Sequence, residues 1–307
     1  MAKYSKDYKS VRDMFWNGKE GVKTYGLDEE GIEYCLFRAL KDYTARTEKK
    51  KENDATASAQ KMLEALKDNG FLNNFESYFT DDIKDSEGYD KWHHACCEKF
   101  ISIIKDAKIR SNVSYGKAQK IVNMTMKTVY CLKGSEEKAN AGYFEYCHMP
   151  LDSFTLEWFR AKLAKEWYNP SKARTFKIKI STDGGPLPKW SNLNFKKISL
   201  GTNFDTYDRD INTRLEGAHY HYMFFVTLIR AYFAPNNSNN PYHGLTPFQA
   251  EFYIWPEIQW EMSAKNIVDQ DLINKVSIIQ GLSTNNPKIK ELCVTLKEQA
   301  ETLLTIY

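Results

Sequence analysis

The chain has 307 residues and a formal net charge of only +3, and hydrophobic residues make up 42% of it against 27% charged. This composition supplies enough apolar material for a folded core and excludes an intrinsically disordered or collagen-like chain. We expect no membrane span, because no run approaches the roughly 18 apolar residues that a span needs.

Cysteine usage predicts a reducing, cytoplasmic compartment with free and mostly buried thiols. No two of the cysteines form a CxxC pair, and the charged first residues lack the apolar stretch of a secretory signal. The six cysteines are Cys35, Cys96, Cys97, Cys131, Cys147 and Cys293.

The first half of the chain shows the apolar spacing of amphipathic helices. We predict one helix that begins at Asp28 and others over 57–68, 92–104, 114–132 and from 150–153 to Asn169. An aromatic-rich segment, 71–79, and an acidic connector, 81–90, separate the second and third of these helices.

The periodicity changes in the middle of the chain. Polar and apolar residues alternate over 174–180, which indicates a strand, and a turn follows at 183–186. Helical patterns return over 210–233, 246–255 and 269–306. The fold prediction is a mainly α protein with a small β element near residues 174–204.

The domain prediction divides the chain near residue 170. Residues 1–170 form a helical N-terminal half, and residues 171–307 hold the small β element and a helical C-terminal half. A single compact domain is the alternative.

Positive charge is concentrated in two segments. Residues 105–133 carry seven Lys or Arg against one acid, and residues 160–197 carry ten against two, so the rest of the chain is acidic. We expect the two segments to converge on one surface that attracts phosphates. The alternative is that these lysines only solvate the outer faces of amphipathic helices.

The best local candidate for anion binding is the predicted helix start at 115–120, where free backbone N–H groups and the helix dipole favour an anion. No Walker motif or GxGxxG motif accompanies it. The candidate anion-binding residues are Tyr115, Gly116, Lys117, Lys120, Lys127, Lys177 and Lys179.

Two strings resemble a pattern found in uncharacterised bacterial helical proteins. They are Tyr-Gly-Lys-Ala-Gln-Lys-Ile-Val-Asn-Met at 115–124 and Cys-His-Met-Pro-Leu-Asp-Ser at 147–153. The resemblance covers residues 90–160 and implies a bacterial or phage origin, and no activity comes with it.

Three polar residues surround a helix start at Pro150. As an acid/base pair, His148 and Asp152 would act beside Cys147 as the nucleophile. The structural interpretation, which we prefer, predicts that Asp152 caps its helix, Cys147 is buried and His148 makes a structural hydrogen bond.

We predict no metal site and no cofactor. His219 and His221 point to different faces if their segment is helical, and the adjacent His93 and His94 meet the same objection. The carboxylates at Glu251, Glu257 and Glu261 are more often exposed acids than ligands of a cation.

The leading functional hypothesis is a binding protein whose basic centre contacts nucleic acid or another polyanion through backbone phosphates. The first alternative is a hydrolase or transferase with its site near Cys147, His148 and Asp152. The second is a protein-interaction module that uses the aromatic region 248–260. Whether the protein is an enzyme stays open.

Overall fold

The computed structural model describes residues 7–16, 25–47, 51–81, 85–163, 167–169, 174–176, 189–195, 221–235, 237, 240–267, 291, 294–295 and 298. The chain forms two compact units, Met1–Tyr253 and Ile254–Tyr307. The domain boundary near residue 170 stays a prediction. No helix in the described ranges is both long enough and apolar enough to cross a membrane.

The described part of the chain is mainly helical, which confirms the fold class predicted from the apolar periodicity. The α-helices are α1 Tyr8–Trp16, α2 Glu29–Thr47, α3 Glu52–Asp68, α4 Asn73–Tyr78, α5 Ser86–Asp106, α6 Tyr115–Tyr130, α7 Ser135–Asn140, α8 Ser153–Trp158, α9 Tyr222–Tyr232 and α10 Pro247–Ile267.

The β structure in the described residues is one short antiparallel hairpin. Strand β1, Trp167–Asn169, pairs with β2, Arg174–Phe176. The helix predicted to reach Asn169 instead ends earlier, because α8 passes into a π-helix over Phe159–Leu163. Pro170 disfavours helical geometry at the residue before it, so β1 is extended. Residues 177–180 of the predicted strand lie outside the described residues.

Side-chain caps fix where α5 and α6 begin. Asp85 accepts a hydrogen bond from the Gly88 amide at 2.7 Å, so the second half of the predicted acidic connector, 86–90, belongs to the first turns of α5. Ser114 caps α6 by accepting from the Lys117 amide at 3.3 Å, and α6 begins within one residue of its predicted start at 114.

Two late helices differ from their predicted bounds. Helix α9 begins at Tyr222, because His221 is extended and forms a parallel bridge with Asn194. Residues 210–220 of that prediction lie outside the described residues. Helix α10 continues past Pro256 to Ile267, although proline removes one helical hydrogen bond at that point.

Helix α6 packs against α2 and α5 and is buried on nearly every side. A helix buried all round is normally apolar, yet α6 also buries polar residues. Thr125 and Thr128 satisfy their hydroxyls by donating to carbonyls one turn back, at 2.8 and 2.9 Å. The other buried polar residues of α6 need partners elsewhere, and those partners form the site described next.

Candidate functional site

Gln119 and Asn123 of α6 begin a chain of buried hydrogen bonds. The Gln119 amide donates to the carbonyls of Gly116 and Leu151 at 2.9 and 2.8 Å. Its Oε1 accepts from Asn123 Nδ2 at 3.0 Å and from the Leu151 amide at 3.3 Å. Asn123 Nδ2 also donates to the Tyr222 hydroxyl at 2.9 Å. The chain therefore runs from the start of α8 through α6 to α9.

The chain continues through His148 to a carboxylate on α5. His148 Nδ1 lies 2.8 Å from the Tyr222 hydroxyl, and His148 Nε2 lies 2.7 Å from Asp90 Oδ1. An ionised carboxylate only accepts, so Nε2 carries the proton and Nδ1 accepts from Tyr222. We call these five residues, Gln119, Asn123, Tyr222, His148 and Asp90, the polar network.

The pKa values support this proton arrangement. Burial works to raise the pKa of Asp90, but the hydrogen bonds from His148 and Arg230 outweigh it and lower the pKa to about 2. Burial lowers the pKa of His148 to about 4, although its hydrogen bond to Asp90 works in the opposite direction. At neutral pH the histidine is therefore neutral and the aspartate is ionised.

Arg230 of α9 holds the same carboxylate from a second side. Its two terminal nitrogens lie 3.0 Å from Asp90 Oδ2 and 2.9 Å from Asp90 Oδ1, a bidentate arrangement. Arg230 also donates to the Tyr146 carbonyl at 3.2 Å. With His148 as the third donor, the Asp90 side chain is fixed in one orientation.

Asp90 opens on a cleft of about 350 Å³ at the N-terminal part of α5. The Asp90 side chain is 23% exposed, whereas that of His148 behind it is 1% exposed. His94 and Phe195 stack in the cleft wall with their ring centroids 3.7 Å apart and an interplanar angle of 15°. We call this the Asp90 cleft, and its lining residues are Ser86, Glu87, Asp90, Lys91, His94, Phe195 and Met223.

Phe195 reaches the cleft because residues 189–195, here the Trp190 segment, dock on the start of α6. The Gly116 amide donates to the Leu193 carbonyl at 3.0 Å, and the Ser114 hydroxyl donates to the Ser191 carbonyl. A Cβ at Gly116 would lie 1.9 Å from the Trp190 carbonyl oxygen. Glycine is therefore required at position 116 for this docking.

Residues at the predicted anion site, 115–120, contact other parts of the chain. The Gly116 amide bonds to the Trp190 segment, and the Tyr115 hydroxyl lies 3.5 Å from His93 Nδ1 in the interior. The helix start expected to meet a phosphate is thus covered by the chain itself. Lys117 is more exposed, and its ammonium donates to the Asn112 carbonyl at 2.9 Å.

Lys120 and Lys127 lie in the interior. The Lys120 ammonium is 3.5 Å from Asp152 Oδ2, and the Lys127 ammonium forms an ion pair with Glu251. Both side chains are less than one tenth exposed, so neither contributes to a basic surface. Lys177 and Lys179 lie outside the described residues, and the convergence of the two basic segments stays a prediction.

The three residues around Pro150 follow the structural interpretation. Asp152 caps α8 by accepting from the amides of Phe154 and Thr155 at 2.9 and 3.1 Å. Cys147 is buried, and burial raises the pKa of its thiol to about 12. The cavity beside Cys147 and His148 measures about 10 Å³, room for about one water.

The late carboxylates are divided between the two compact units. Glu251 is buried against Lys127 in the first unit, whereas Glu257 and Glu261 belong to the second unit. Among the described residues, no three His, Cys, Asp or Glu side chains are arranged to hold a metal ion.

Several residues of the site were not recognised in the sequence. Asp90 stood in a stretch interpreted as a connector, and Tyr222 and Arg230 stood in a helix interpreted as core. The single local signal was the polar character of α6, where Gln119 and Asn123 interrupt an otherwise apolar face.

Comparison with known proteins gives no match to a family model, a curated protein or a solved structure. The function is therefore argued from the geometry of the Asp90 cleft, and the resemblance to uncharacterised bacterial helical proteins stays a prediction.

Proposed function

We propose that this protein binds a small organic molecule in the Asp90 cleft. The observation that carries the proposal is a carboxylate fixed by three donors at the edge of a cleft with an aromatic wall. The cleft volume of about 350 Å³ falls within the range of small-molecule sites. Such sites are mostly apolar and orient their ligand with a few fixed polar groups.

The same geometry favours binding over acid/base catalysis. With its pKa lowered to about 2, Asp90 is a weak base at neutral pH. Both ring nitrogens of His148 are occupied by protein partners, and the Cys147 thiol is protonated at neutral pH. A hydrolase or transferase centred on Cys147, His148 and Asp152 is therefore the weaker candidate.

The test is a fragment screen by ligand-observed NMR on the intact chain and on two variants. Phe195→Ala removes the cleft wall and is expected to abolish binding of the fragments that occupy the cleft. Lys105→Ala is the matched control, since position 105 lies about 16 Å along α5 from position 94. If no fragment binds, or if the bound fragments are indifferent to Phe195, the proposal fails.

Polyanion binding is the second candidate, and one backbone feature favours it. Lys108 adopts a left-handed conformation, φ 53°, directly after α5, a position where glycine is the usual residue. The exposed Lys105 and the partly exposed Lys117 lie on either side of this helix-to-helix connection, in the last turn of α5 and the first turn of α6. A lysine at a position that favours glycine places an exposed charge there at a conformational cost.

Lys108→Gly tests this candidate, because it relieves the strain while it removes the charge. We expect stability to rise by about 1 kcal/mol. Affinity for duplex DNA, measured by fluorescence anisotropy, is expected to fall, and the slope of log K against log salt to shrink by about 0.9. Unchanged affinity in Lys108→Gly, or no binding at low salt, contradicts the candidate.

A further inference from the structure

The Asp90 carboxylate can accept a further hydrogen bond but cannot donate one. Among the described residues, Oδ2 accepts only from Arg230, and each carboxylate oxygen has two acceptor positions. Since His148 and Arg230 fix the side chain, the remaining position has a fixed direction. A ligand that meets Asp90 must therefore offer an N–H or O–H group, and a carboxylate or phosphate group is excluded there.

The rest of the cleft selects for a flat, apolar body. His94 and Phe195 are stacked, and the Phe195 ring is also 5.2 Å from that of Tyr115. Met223, buried in α9, adds a thioether, a group that makes favourable contacts with aromatic rings. A planar ring gains stacking and dispersion contacts in this setting that a flexible chain of the same size does not.

The charges of the cleft are balanced. Arg230 neutralises Asp90, and the Lys91 ammonium lies 3.3 Å from the Glu87 carboxylate. Among the described residues of the cleft, no net charge therefore favours a strongly charged ligand. The volume of about 350 Å³ is near the lower end of the range for small-molecule sites, which suits one ring or two fused rings.

Resting on the proposed function, we infer that the ligand is a neutral heteroaromatic amine. Its ring would lie against the His94–Phe195 wall, and its exocyclic amino group would donate to Asp90 Oδ2. An analogue that lacks the amino group covers Asp90 Oδ2 in the cleft without giving it a donor, which costs affinity.

The test uses 2-aminopurine and purine, two ligands that differ by the amino group. Fluorescence quenching reports stacking of 2-aminopurine, and competition against it gives the affinity of purine. We expect 2-aminopurine to bind the intact chain at least about tenfold more tightly than purine. Phe195→Leu should weaken both ligands by a similar factor, and Asp90→Asn should reduce the ratio between them.

The outcomes separate this inference from the proposed function. Equal affinity for the two ligands, or tighter binding of purine, overturns the amine assignment and leaves small-molecule binding in place. If neither ligand binds while other fragments bind in a Phe195-dependent way, the amine assignment is again overturned and small-molecule binding is left in place. Binding of neither ligand and of no fragment overturns both. Asp90→Asn removes the charged partner of Arg230, so the melting temperature of this variant is measured first. If the variant does not fold, the comparison of 2-aminopurine with purine on the unaltered chain decides the amine assignment.

Discussion

At the scale of single residues, the polar network has a fixed direction. Because Asp90 is ionised, the His148 proton sits on Nε2, Tyr222 donates to His148, and Asn123 donates to Tyr222. These three bonds all donate toward the cleft, whereas the second Nδ2 proton of Asn123 is donated to Gln119 Oε1 on the other side. Protonation of His148 would place a second donor opposite the Tyr222 hydroxyl, so the folded state resists it.

Because protonation of His148 is unfavourable in the folded state, we expect the protein to lose stability in mild acid. Since the folded pKa of His148 is about 4, below its ordinary 6.5, the unfolded chain takes up a proton that the folded chain does not. The free energy of unfolding should therefore fall as pH drops from 6.5 to 4, by about 3 kcal/mol from this residue. Urea unfolding at several pH values measures it.

The variant His148→Asn separates the contribution of His148 to the pH dependence of stability from that of the other titrating groups. The variant should be less stable at pH 7, and its stability should depend less steeply on pH, by about one proton between pH 4 and 6.5. Parallel pH profiles for the variant and the original chain would show that His148 does not cause the acid sensitivity.

At the scale of elements, the Trp190 segment depends on one glycine. Gly116→Ala would place a methyl group 1.9 Å from the Trp190 carbonyl oxygen, and backbone atoms on both sides prevent a small adjustment. We expect the segment to leave α6 and Phe195 to leave the cleft with it. Ligand affinity should then fall by at least about tenfold, or 1.4 kcal/mol.

Circular dichroism and a ligand titration together check this prediction. The helical signal should persist, because alanine favours a helix more than glycine does. Lys117→Ala, one residue along the same turn, should leave ligand affinity unchanged. Normal affinity in Gly116→Ala would mean that the docking of the Trp190 segment does not shape the cleft.

Apolar periodicity was enough to predict the long helices, because burial of one helix face is a local property of the sequence. The Asp152 cap was predicted for a different local reason, since an acid at a helix start can accept hydrogen bonds from the free backbone N–H groups. Helix α1 was missed, and so were α4 and α7, whose six residues each hold less than two turns of periodicity.

The polar network was not predictable, because its members are far apart in the sequence. Asp90, Asn123, His148 and Tyr222 come from three helices and a loop, and no spacing rule connects them. The burial of two lysines in the basic segment 105–133 was not predictable for a related reason: sequence does not show which lysines point inward to a carboxylate. Lys120 and Lys127 do so.

At the scale of the whole molecule, the Lys127–Glu251 pair connects α6 to the first turns of α10 across a long stretch of sequence. Burial raises the pKa of Glu251, and the nearby Lys127 works against that shift. A buried ion pair contributes little net stability, but removing one partner leaves a buried charge uncompensated.

Glu251→Gln should therefore destabilise the protein by about 3–5 kcal/mol, measured by urea unfolding. The double variant Lys127→Met with Glu251→Leu should recover most of that loss, because it leaves neither charge buried. Lys91→Met breaks an exposed pair and should cost at most about 1 kcal/mol. A Glu251→Gln effect as small as that of Lys91→Met would contradict the buried pairing.

The polar network also bears on how the chain folds during synthesis. Asp90 and His148 leave the ribosome well before Tyr222 and Arg230, which complete their hydrogen bonds. At about 5–20 residues per second, the nascent chain waits roughly 4–16 s between His148 and Arg230. Through that interval Asp90 and His148 can bond to each other, but water must satisfy His148 Nδ1 and the Asp90 acceptor positions that Arg230 fills later. We therefore expect this part of the N-terminal helices to stay open to water until α9 arrives.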